Sequence, residues 1–455
     1  MFKLVKDIKT KKLLCAISST DKKAKGKEEF STFVDKNTTY FVMKKKTNLS
    51  DLLWKLREVF SKLDSDTSVD LRTFGQLLDE KYRGGFLTQA ILINELVNET
   101  PFCLKTKKDK VEPSFVFCDY HYNLLNKQIK VLAEAFNFAR KLELMPSNYL
   151  NPKKFVDEVK KQFAPFKNQV NITVLNADQI NKKSMGLLSA VGKGSKKEDG
   201  PMLLSITFKK SKSDFTLVGK GITFDTGGIN LKPSSALKGM QYDMTGASIA
   251  VAIMYAFAAL KLNPSFGIVV PLAENDISAN CTKVGDIMKA YNGKTVEMTN
   301  RDAEGSLALA DAVTYAIKDL KTKNVATIAT LTGGVIIALG DIFSAYWATN
   351  EKQAKQIKDA AELSGEYVWQ LPFHDSIKNR VIEKSAIADY INSDENRAAQ
   401  SISGAEFIKL FAEDINFMHF DIAGTNEYKS KGKTQPLPIL MYTLFNFVKD
   451  NYNGK

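Results

Sequence analysis

Two carboxylates stand two residues apart where a helix is predicted to begin. Residues 299–312 read TNRDAEGSLALADA, so Asp302 and Glu304 lie among small and apolar neighbours. A solvated surface does not require two acids in such apolar surroundings. A metal site does, because carboxylate oxygens are ligands that Mn²⁺ and Mg²⁺ prefer. The segment therefore predicts metal ligands at the start of a helix.

Further acids and lysines occur upstream, each beside glycine or another small residue. Small neighbours let the backbone and a substrate approach closely, and four carboxylates are enough to bridge two divalent ions. Any one of these acids alone would more often be a turn residue or a helix cap, but their joint placement favours a site. A lysine beside divalent metal can lose its proton and become a ligand. The full set is Lys220, Asp225, Lys232, Asp243, Asp302 and Glu304.

Other catalytic classes are excluded by the residues that they need. The chain has three histidines, far apart at His121, His374 and His419, and it contains neither HExxH nor GxSxG. The glycine-lysine segments around Gly194 and Gly221 miss the spacing of a phosphate-binding loop. The carboxylate-rich set is therefore what remains for catalysis.

The acids and lysines follow apolar strands of a predicted α/β domain. Strands alternate with helices, which indicates a mixed, mostly parallel central sheet covered on both faces. Polar clusters come after Val218, Val270 and Ala329, and ligands collect at the carboxyl ends of parallel strands. The predicted strands are residues 172–175, 202–208, 215–218, 266–270, 325–329 and 417–422, and the predicted helices are residues 245–262, 303–320, 351–363 and 438–449.

A chain of 455 residues is too long for one ordinary core, so two domains are expected. Residues 1–127 predict a smaller N-terminal α/β domain. Residues 128–455 predict the larger catalytic α/β domain, which begins with a connecting helix over 126–144 and continues with a second helix at Asn151-Pro152. The predicted elements of the smaller domain are strands at 39–43 and 114–118 and a helix at 48–63.

Composition indicates a globular protein of a reducing compartment. The chain is 44% hydrophobic and 25% charged, and no apolar run reaches bilayer-spanning length, so no membrane partner is expected. Four scattered cysteines without a CxxC pair are typical of reduced thiols, which favours the cytoplasm. The net charge of +13 attracts phosphate, but the lysine runs lack interleaved aromatics, so a nucleic-acid partner is left open without support.

The acid-bearing segments resemble the leucine aminopeptidase (cytosol aminopeptidase) family of two-metal exopeptidases. The resemblance runs in order from about Lys141 to the C-terminus, and the N-terminal part matches only in size and position. The segments that carry it are residues 218–228, Lys232, and residues 240–246, 285–286, 292–295, 300–312, 329–333 and 419–424.

The resemblance implies an activity and a set of roles. It implies a leucyl aminopeptidase, a hydrolase that releases leucine-like N-terminal residues from peptides and carries two divalent ions, Mn²⁺ or Zn²⁺, in each subunit of a cytoplasmic homohexamer. Lys232 would be the cationic group beside the scissile carbonyl. The implied metal ligands are Lys220, Asp225, Asp243, Asp302 and Glu304, and the implied substrate contacts are Met240, Thr330, Leu331, Gly333 and Ala423.

Position 306 departs from the family pattern. The family has an arginine there that holds a bicarbonate ion as base, and Ser306 cannot hold bicarbonate as a bidentate guanidinium does. Arg301 replaces the family's threonine. In an extended segment it would point away from Asp302, Glu304 and Ser306, whereas a turn into the helix could change that direction. We prefer an active aminopeptidase, because loss of a supporting group usually slows an enzyme without abolishing activity. The alternative is a metal-binding, catalytically impaired relative with an assembly or nucleic-acid-binding role.

Overall fold

The chain divides into two compact units. The computed structural model describes residues 3–5, 12–64, 66–106, 116–118, 122–394, 396–430 and 433–452. The first unit comprises Met1–Asn137, Lys358–Tyr367 and Lys429–Gln435, and the second comprises Phe138–Ile357, Val368–Tyr428 and Pro436–Lys455. Every predicted site residue belongs to the second unit. The predicted domain boundary between residues 127 and 128 stays a prediction.

The first unit contains a six-stranded sheet, counted over the described residues. Its strands are β1 (Lys3–Val5), β2 (Lys12–Ser18), β3 (Thr32–Asp35), β4 (Thr38–Met43), β5 (Thr67–Asp70) and β6 (Val116–Cys118). Its helices are α1 (Leu49–Lys62), α2 (Leu71–Leu77) and α3 (Arg83–Asn98). The strand order is β1-β6-β5-β2-β4-β3, with an antiparallel pairing between β3 and β4.

Two predicted elements of the first unit are confirmed, as β4 and α1. The side chain of Asn48 caps α1 by accepting hydrogen bonds from the backbone N–H groups of Ser50 and Asp51. The predicted strand at 114–118 is described only from Val116 onward, as β6, and its first two residues lie outside the described residues.

The remaining strands and helices follow in chain order, and α4 begins in the first unit. The strands are β7 (Val170–Leu175), β8 (Met202–Phe208), β9 (Phe215–Gly219), β10 (Gly221–Asp225), β11 (Phe266–Asn275), β12 (Ile287–Lys289), β13 (Thr295–Glu297), β14 (Asn324–Ala329), β15 (Ser344–Ala348), β16 (Val368–Gln370), β17 (Tyr390–Ile391), β18 (Asn416–Asp421), β19 (Glu427–Ser430) and β20 (Lys433–Pro436). The helices are α4 (Tyr122–Leu144), α5 (Pro152–Phe163), α6 (Ala177–Lys182), α7 (Gly186–Val191), α8 (Ser234–Leu237), α9 (Thr245–Ala259), α10 (Glu304–Lys318), α11 (Gly333–Leu339), α12 (Glu351–Ser364), α13 (Asp375–Ile382), α14 (Gln400–Lys409) and α15 (Met441–Tyr452).

The large sheet of the second unit is mixed and mostly parallel, as predicted. Over the described residues its strand order is β16-β15-β18-β14-β9-β11-β8-β7, and β10 pairs with β11. The central pairings of β18, β14, β9 and β11 are parallel, whereas β8 runs antiparallel to β11 and β7, and β15 runs antiparallel to β18. The carboxyl ends of the central strands therefore meet at one edge of the sheet.

Two apolar helices cover the centre of this sheet. In α9, every residue from Thr245 to Ala258 is buried, and in α10 every residue from Glu304 to Ala316 is buried. The segment Met240–Ala259 is long and apolar enough to cross a membrane, but 89% of an 18-residue stretch within it is buried inside the fold, as expected of a core helix. The N-terminal turns of both helices lie against Lys220: the N–H of Ala247 in α9 donates to the Lys220 carbonyl, and Gly305 in α10 packs against the Lys220 side chain.

Strand β10 was not among the predicted strands. The predicted strand 215–218 ends one residue early, and the chain resumes as a strand at Gly221 after one interruption, at Lys220. At that residue the backbone N–H donates to Ile328 and the carbonyl accepts from Ala247. The backbone of Lys220 therefore links β14 to α9 at the point where the strand is interrupted.

Candidate metal centre and active site

The six predicted acids and lysines converge at the carboxyl edge of the large sheet. Lys220 follows β9, Asp225 ends β10, and Asp243 lies in the turn before α9. Asp302 lies in the short turn Arg301–Ala303, and Glu304 is the first residue of α10. The remaining member, Lys232, comes from the loop after β10 and reaches the same cluster through the ion pairs described below.

One half of the cluster is built around Lys220, which is almost completely buried. Its Nζ lies 2.8 Å from Asp243 Oδ1 and 3.0 Å from Glu304 Oε1. The same ammonium donates to the carbonyl of Thr330 at 3.0 Å. Buried charges are stable only when they are paired and hydrogen-bonded, and here three oxygen atoms surround the ammonium.

The other half is built around Lys232, which is partly buried. Its Nζ lies 2.8 Å from Asp225 Oδ2 and 2.5 Å from Asp302 Oδ1. One carboxylate oxygen from each of Asp225, Asp302 and Glu304 lies within 4.8 Å of the other two, so one divalent ion can contact all three residues. Glu304, which pairs with Lys220, therefore also lies close to the two acids that pair with Lys232.

Charge outweighs burial at both lysines. Burial alone would lower the pKa of Lys220, but the charges of Asp243, Glu304 and Asp225 raise that pKa above its ordinary value. At Lys232 burial is likewise overcome, mainly by Asp225 and Glu304, and the pKa is raised. The ammonium groups therefore occupy positions where positive charge is strongly favoured.

The donor set fits divalent cations. Asp243 Oδ2 and Glu304 Oε2 are buried oxygen atoms without a hydrogen-bond partner among the described residues, and such atoms call for an explanation such as a bound ion. Burial raises the pKa of Asp243, and it raises the pKa of Asp302 to about 6 with help from the charge of Asp225. A cation close to these carboxylates would relieve both the missing partners and the raised pKa values.

Two glycines are required by the close approach of the ligand-bearing segments. A Cβ atom on Gly305 would lie 2.5 Å from Lys220 Cε, so a side chain there would displace that lysine. Gly228 has a φ of +59°, and a Cβ on it would lie 2.9 Å from Arg301 Nε. The glycines beside the acids therefore serve the close packing that the sequence indicated.

The five predicted substrate residues lie on neighbouring segments of the same edge. Thr330 and Leu331 follow β14, Gly333 opens α11, Ala423 follows β18, and Met240 lies in the turn before Asp243. Leu331, Thr330, Met240 and Ala423 are half-buried and Gly333 is exposed. Their contact with substrate stays a prediction.

Thr330 has a role that the sequence did not indicate. Its Oγ1 donates to Asp243 Oδ1 at 2.7 Å, while its carbonyl accepts from Lys220. Thr330 therefore orients two predicted ligands, in addition to its predicted place beside the substrate.

The segment around position 301 is turned rather than extended, which decides between the two geometries that the sequence left open. Residues Arg301–Ala303 form a tight turn and α10 begins at Glu304, so Glu304 and Ser306 are two positions apart on a helix rather than on one face of a strand. Arg301 nevertheless has its hydrogen bonds outside the acidic cluster, to Asn275, Ala190 and Val191. Ser306 is buried in the first turn of α10.

Three polar residues that position the site were missed from the sequence. Asn275 donates to Asp225 Oδ1 at 2.7 Å. Asn392 holds the turn before Asp302, because its Oδ1 accepts from the backbone N–H groups of Thr299 and Asn300. Asp421, at the end of β18, accepts from Leu331, Thr332 and Ala423. Asn275 and Asp421 could have been found as polar residues that end apolar strands, but Asn392 lies about ninety positions from its partners and carries no such signal.

The fold and the site define an α/β protein with a carboxylate cluster suited to divalent ions. Comparison with known families agrees, because the model of the cytosol aminopeptidase family, catalytic domain, matches residues 137–441. The chain therefore belongs to the cytosol aminopeptidase family, and by that membership it is an aminopeptidase. The predicted family resemblance is confirmed.

Curated relatives extend the match over most of the chain. A probable cytosol aminopeptidase of Mycoplasma genitalium is 39% identical over 76% of this chain and 76% of its own length. One from Metamycoplasma salivarium is 32% identical over 98% of this chain and 87% of its own length. The solved structure of the bottromycin maturation enzyme BotP in complex with Mn aligns with a TM-score of 0.82 at 22% identity, covering 97% of this chain and 99% of that one. At that identity the likeness shows the fold alone.

Proposed function

We propose that this protein is a two-metal aminopeptidase that releases leucine-like residues from the N-termini of peptides. The observation that carries the proposal is the convergence of four carboxylates and two lysines at one sheet edge, with two buried carboxylate oxygens left unpaired. We assign the metal ligands to Asp225, Asp243, Asp302 and Glu304, and to Lys220, whose ammonium would lose its proton when an ion binds beside it. The ions would be Mn²⁺ or Zn²⁺.

The chemistry divides between the bound ions and the chain. Two divalent ions, when bound, would supply an activated water for attack on the first peptide carbonyl. Once Asp225 and Asp302 serve as ligands, the Lys232 ammonium is free to donate to the carbonyl oxygen and to stabilise the negative charge that develops there. The segments that carry Met240, Thr330 and Ala423 would hold the first side chain of the substrate.

Proton transfer at this site differs from the family pattern. Ser306 offers a single hydroxyl, whereas a guanidinium can hold an oxyanion with two parallel hydrogen bonds. We propose that the enzyme turns over without a tightly held bicarbonate. The alternative of a catalytically impaired relative has no support in the comparisons.

Product analysis tests this proposal. The protein with added Mn²⁺ is incubated with the peptides Leu-Gly-Gly and N-acetyl-Leu-Gly-Gly, and the products are identified by mass spectrometry. Release of free leucine from the first peptide alone is expected, since a free N-terminus is required. Cleavage of the acetylated peptide, or cleavage at an internal bond, would refute an aminopeptidase assignment.

We also propose a cytoplasmic homohexamer. The compartment is proposed from the four scattered cysteines, which form no CxxC pair in the sequence. The hexamer is proposed from the family resemblance, and the exposed isoleucines of α11 are consistent with a surface that another subunit covers.

A further inference from the structure

Arg301 is a buried cation that lies behind the acidic cluster. Its side chain is fully buried, and no carboxylate of a described residue forms an ion pair with it. Its shortest hydrogen bond runs from Nη2 to Asn275 Oδ1, at 2.6 Å. Longer contacts of 3.4 Å join Nη1 to the carbonyl of Ala190 and Nη2 to the carbonyl of Val191. Asn275 is thus the main partner of this guanidinium.

Asn275 connects Arg301 to Asp225. Its Nδ2 donates to Asp225 Oδ1 at 2.7 Å and to the carbonyl of Arg301 at 3.1 Å. Asp225 Oδ1 also accepts from the backbone N–H of Gly227 at 2.9 Å, whereas Asp225 Oδ2 faces Lys232. Asp225 Oδ1 is therefore fixed by Asn275 and Gly227, while Oδ2 points toward the acidic cluster.

The donor and acceptor chemistry fixes the direction of this chain of bonds. A guanidinium has only donors and a carboxylate has only acceptors, whereas a primary amide has both. An amide between Arg301 and Asp225 must present Oδ1 to the arginine, which leaves Nδ2 for the carboxylate. Without a donor at position 301, Asn275 Oδ1 loses its partner, and only the Nδ2 bonds to Asp225 and to the carbonyl of Arg301 still hold the amide, so it can shift relative to Asp225.

We propose that Arg301 is a positioning residue that acts through Asn275 to orient Asp225 for binding divalent ions. The inference rests on the proposed function, because it takes Asp225 as a metal ligand. Two effects of the guanidinium oppose each other. Its positive charge repels a cation, while its hydrogen bond orients a ligand, so the sign of the change on its removal decides which effect is larger.

Titration of Mn²⁺ into the full-length, metal-stripped protein measures that sign. The wild type is compared with Arg301→Met, Asn275→Ala and the double variant. Partners that orient metal ligands typically contribute about 10- to 100-fold in affinity, so each single variant is expected to bind Mn²⁺ that much more weakly. Because both residues act along one path, the double variant should lose no more Mn²⁺ affinity than the single variant with the larger loss. Tighter binding by Arg301→Met, or additive losses, would overturn the proposal.

Thr282→Val is the matched control for a merely structural role. Thr282 Oγ1 donates at 2.8 Å to the carbonyl of Ala190, which Arg301 also contacts, and among the described residues no hydrogen bond joins Thr282 to Asn275. The control is expected to retain wild-type Mn²⁺ affinity, even if its melting temperature falls. An equal loss of affinity in Thr282→Val would mean that Arg301 only supports the segment around Ala190.

Two further comparisons keep the test decisive. If Arg301→Met fails to fold, Asn275→Ala alone carries the test, and wild-type Mn²⁺ affinity in that variant would overturn the proposal. Arg301→Lys, which keeps a donor-only side chain, is expected to bind Mn²⁺ more tightly than Arg301→Met, and equal weakening in the two variants would count against the proposal.

A wild type that binds no Mn²⁺ would refute the proposed function as well, whereas normal binding by both wild type and Arg301→Met would refute this inference alone.

Discussion

Lys220 and Lys232 hold together four carboxylates that would otherwise repel one another. Each ammonium pairs with two acids, so the cluster carries two more negative than positive charges. Removing charges from water is costly unless they are paired, and this excess favours additional cations. The buried side chains of Asp243 and Glu304, with one unpaired oxygen each, also favour binding of a cation.

Glu304→Gln tests whether the acidic cluster binds a divalent cation. The substitution keeps the shape of the side chain but removes the charge that Lys220 and a divalent ion share, so Mn²⁺ affinity should fall by more than the roughly 10- to 100-fold typical of an outer partner. Calorimetric titration measures the loss. Glu351→Gln is the matched control, because Glu351 is the exposed first residue of α12, as Glu304 is the first residue of α10. Equal affinities in the two variants would remove Glu304 from the ligand set.

Lys232→Met separates catalysis from binding. If the ammonium stabilises the developing oxyanion, kcat should fall by about 10²- to 10³-fold with little change in KM. Steady-state kinetics on a leucine anilide measures both constants, and Lys238→Met, at an exposed position nearby, should behave as wild type. A raised KM with unchanged kcat would instead show that Lys232 only binds substrate.

At the scale of elements, the site depends on two helix starts packed against two strand ends. Gly305, in the first turn of α10, lies directly against the Lys220 side chain after β9. Asn392, beside β17, fixes the turn before α10, while Asp421 at the end of β18 fixes the segment before α11. The positions of the ligands are thus set by hydrogen bonds between elements far apart in sequence.

Gly305→Ala should damage this packing. The added methyl group meets Lys220 Cε and Nζ, and overpacking typically costs about 1–3 kcal/mol of unfolding free energy. Urea denaturation measures the loss, and Mn²⁺ affinity should fall in parallel because Lys220 is displaced. Gly84→Ala is the control, since Gly84 is also the second residue of a helix, α3, and a Cβ there meets nothing within 4 Å. Gly84→Ala should be neutral or stabilising, and the same result for Gly305→Ala would contradict the close contact.

Sequence patterns predicted the elements that carry apolar periodicity and the motifs that carry charge. The sheet class, the strands β8 and β14 and the helices α9 and α10 follow from apolar runs, with ends misplaced by a few residues at most. β10 was missed because Lys220 interrupts the apolar run. The backbone of Lys220 is hydrogen-bonded to Ile328 and Ala247, which are far away in sequence. Such tertiary hydrogen bonds leave no periodic signal.

The candidate site could be predicted as a residue set but not as a geometry. The six acids and lysines share a local signature of glycine and small neighbours. The direction of Arg301 depended on whether the segment is extended or turned, which local sequence left undecided. Asn275 and Asn392 act through partners about 25 to 90 residues away, so their roles appear only in the folded chain.

At the scale of the whole molecule, subunit assembly is the open prediction. Ile336 and Ile337 of α11 are about half and nearly nine-tenths exposed, with Ile342 exposed shortly after, and we propose that another subunit packs against this apolar surface. Light scattering should give a mass of about 300 kDa, six times the 50.7 kDa of one chain. Ile337→Asp should yield smaller species, whereas a monomeric wild type would contradict the hexamer.

The most direct test of the account is hydrolysis of a leucine anilide by the purified wild type with Mn²⁺, beside Asp302→Ala and Ser306→Arg. We predict turnover by the wild type that Asp302→Ala abolishes, because we propose that the acidic cluster performs the chemistry and that the family arginine is dispensable here. A silent wild type, together with activity gained by Ser306→Arg, would contradict this account and show that catalysis was lost at residue 306.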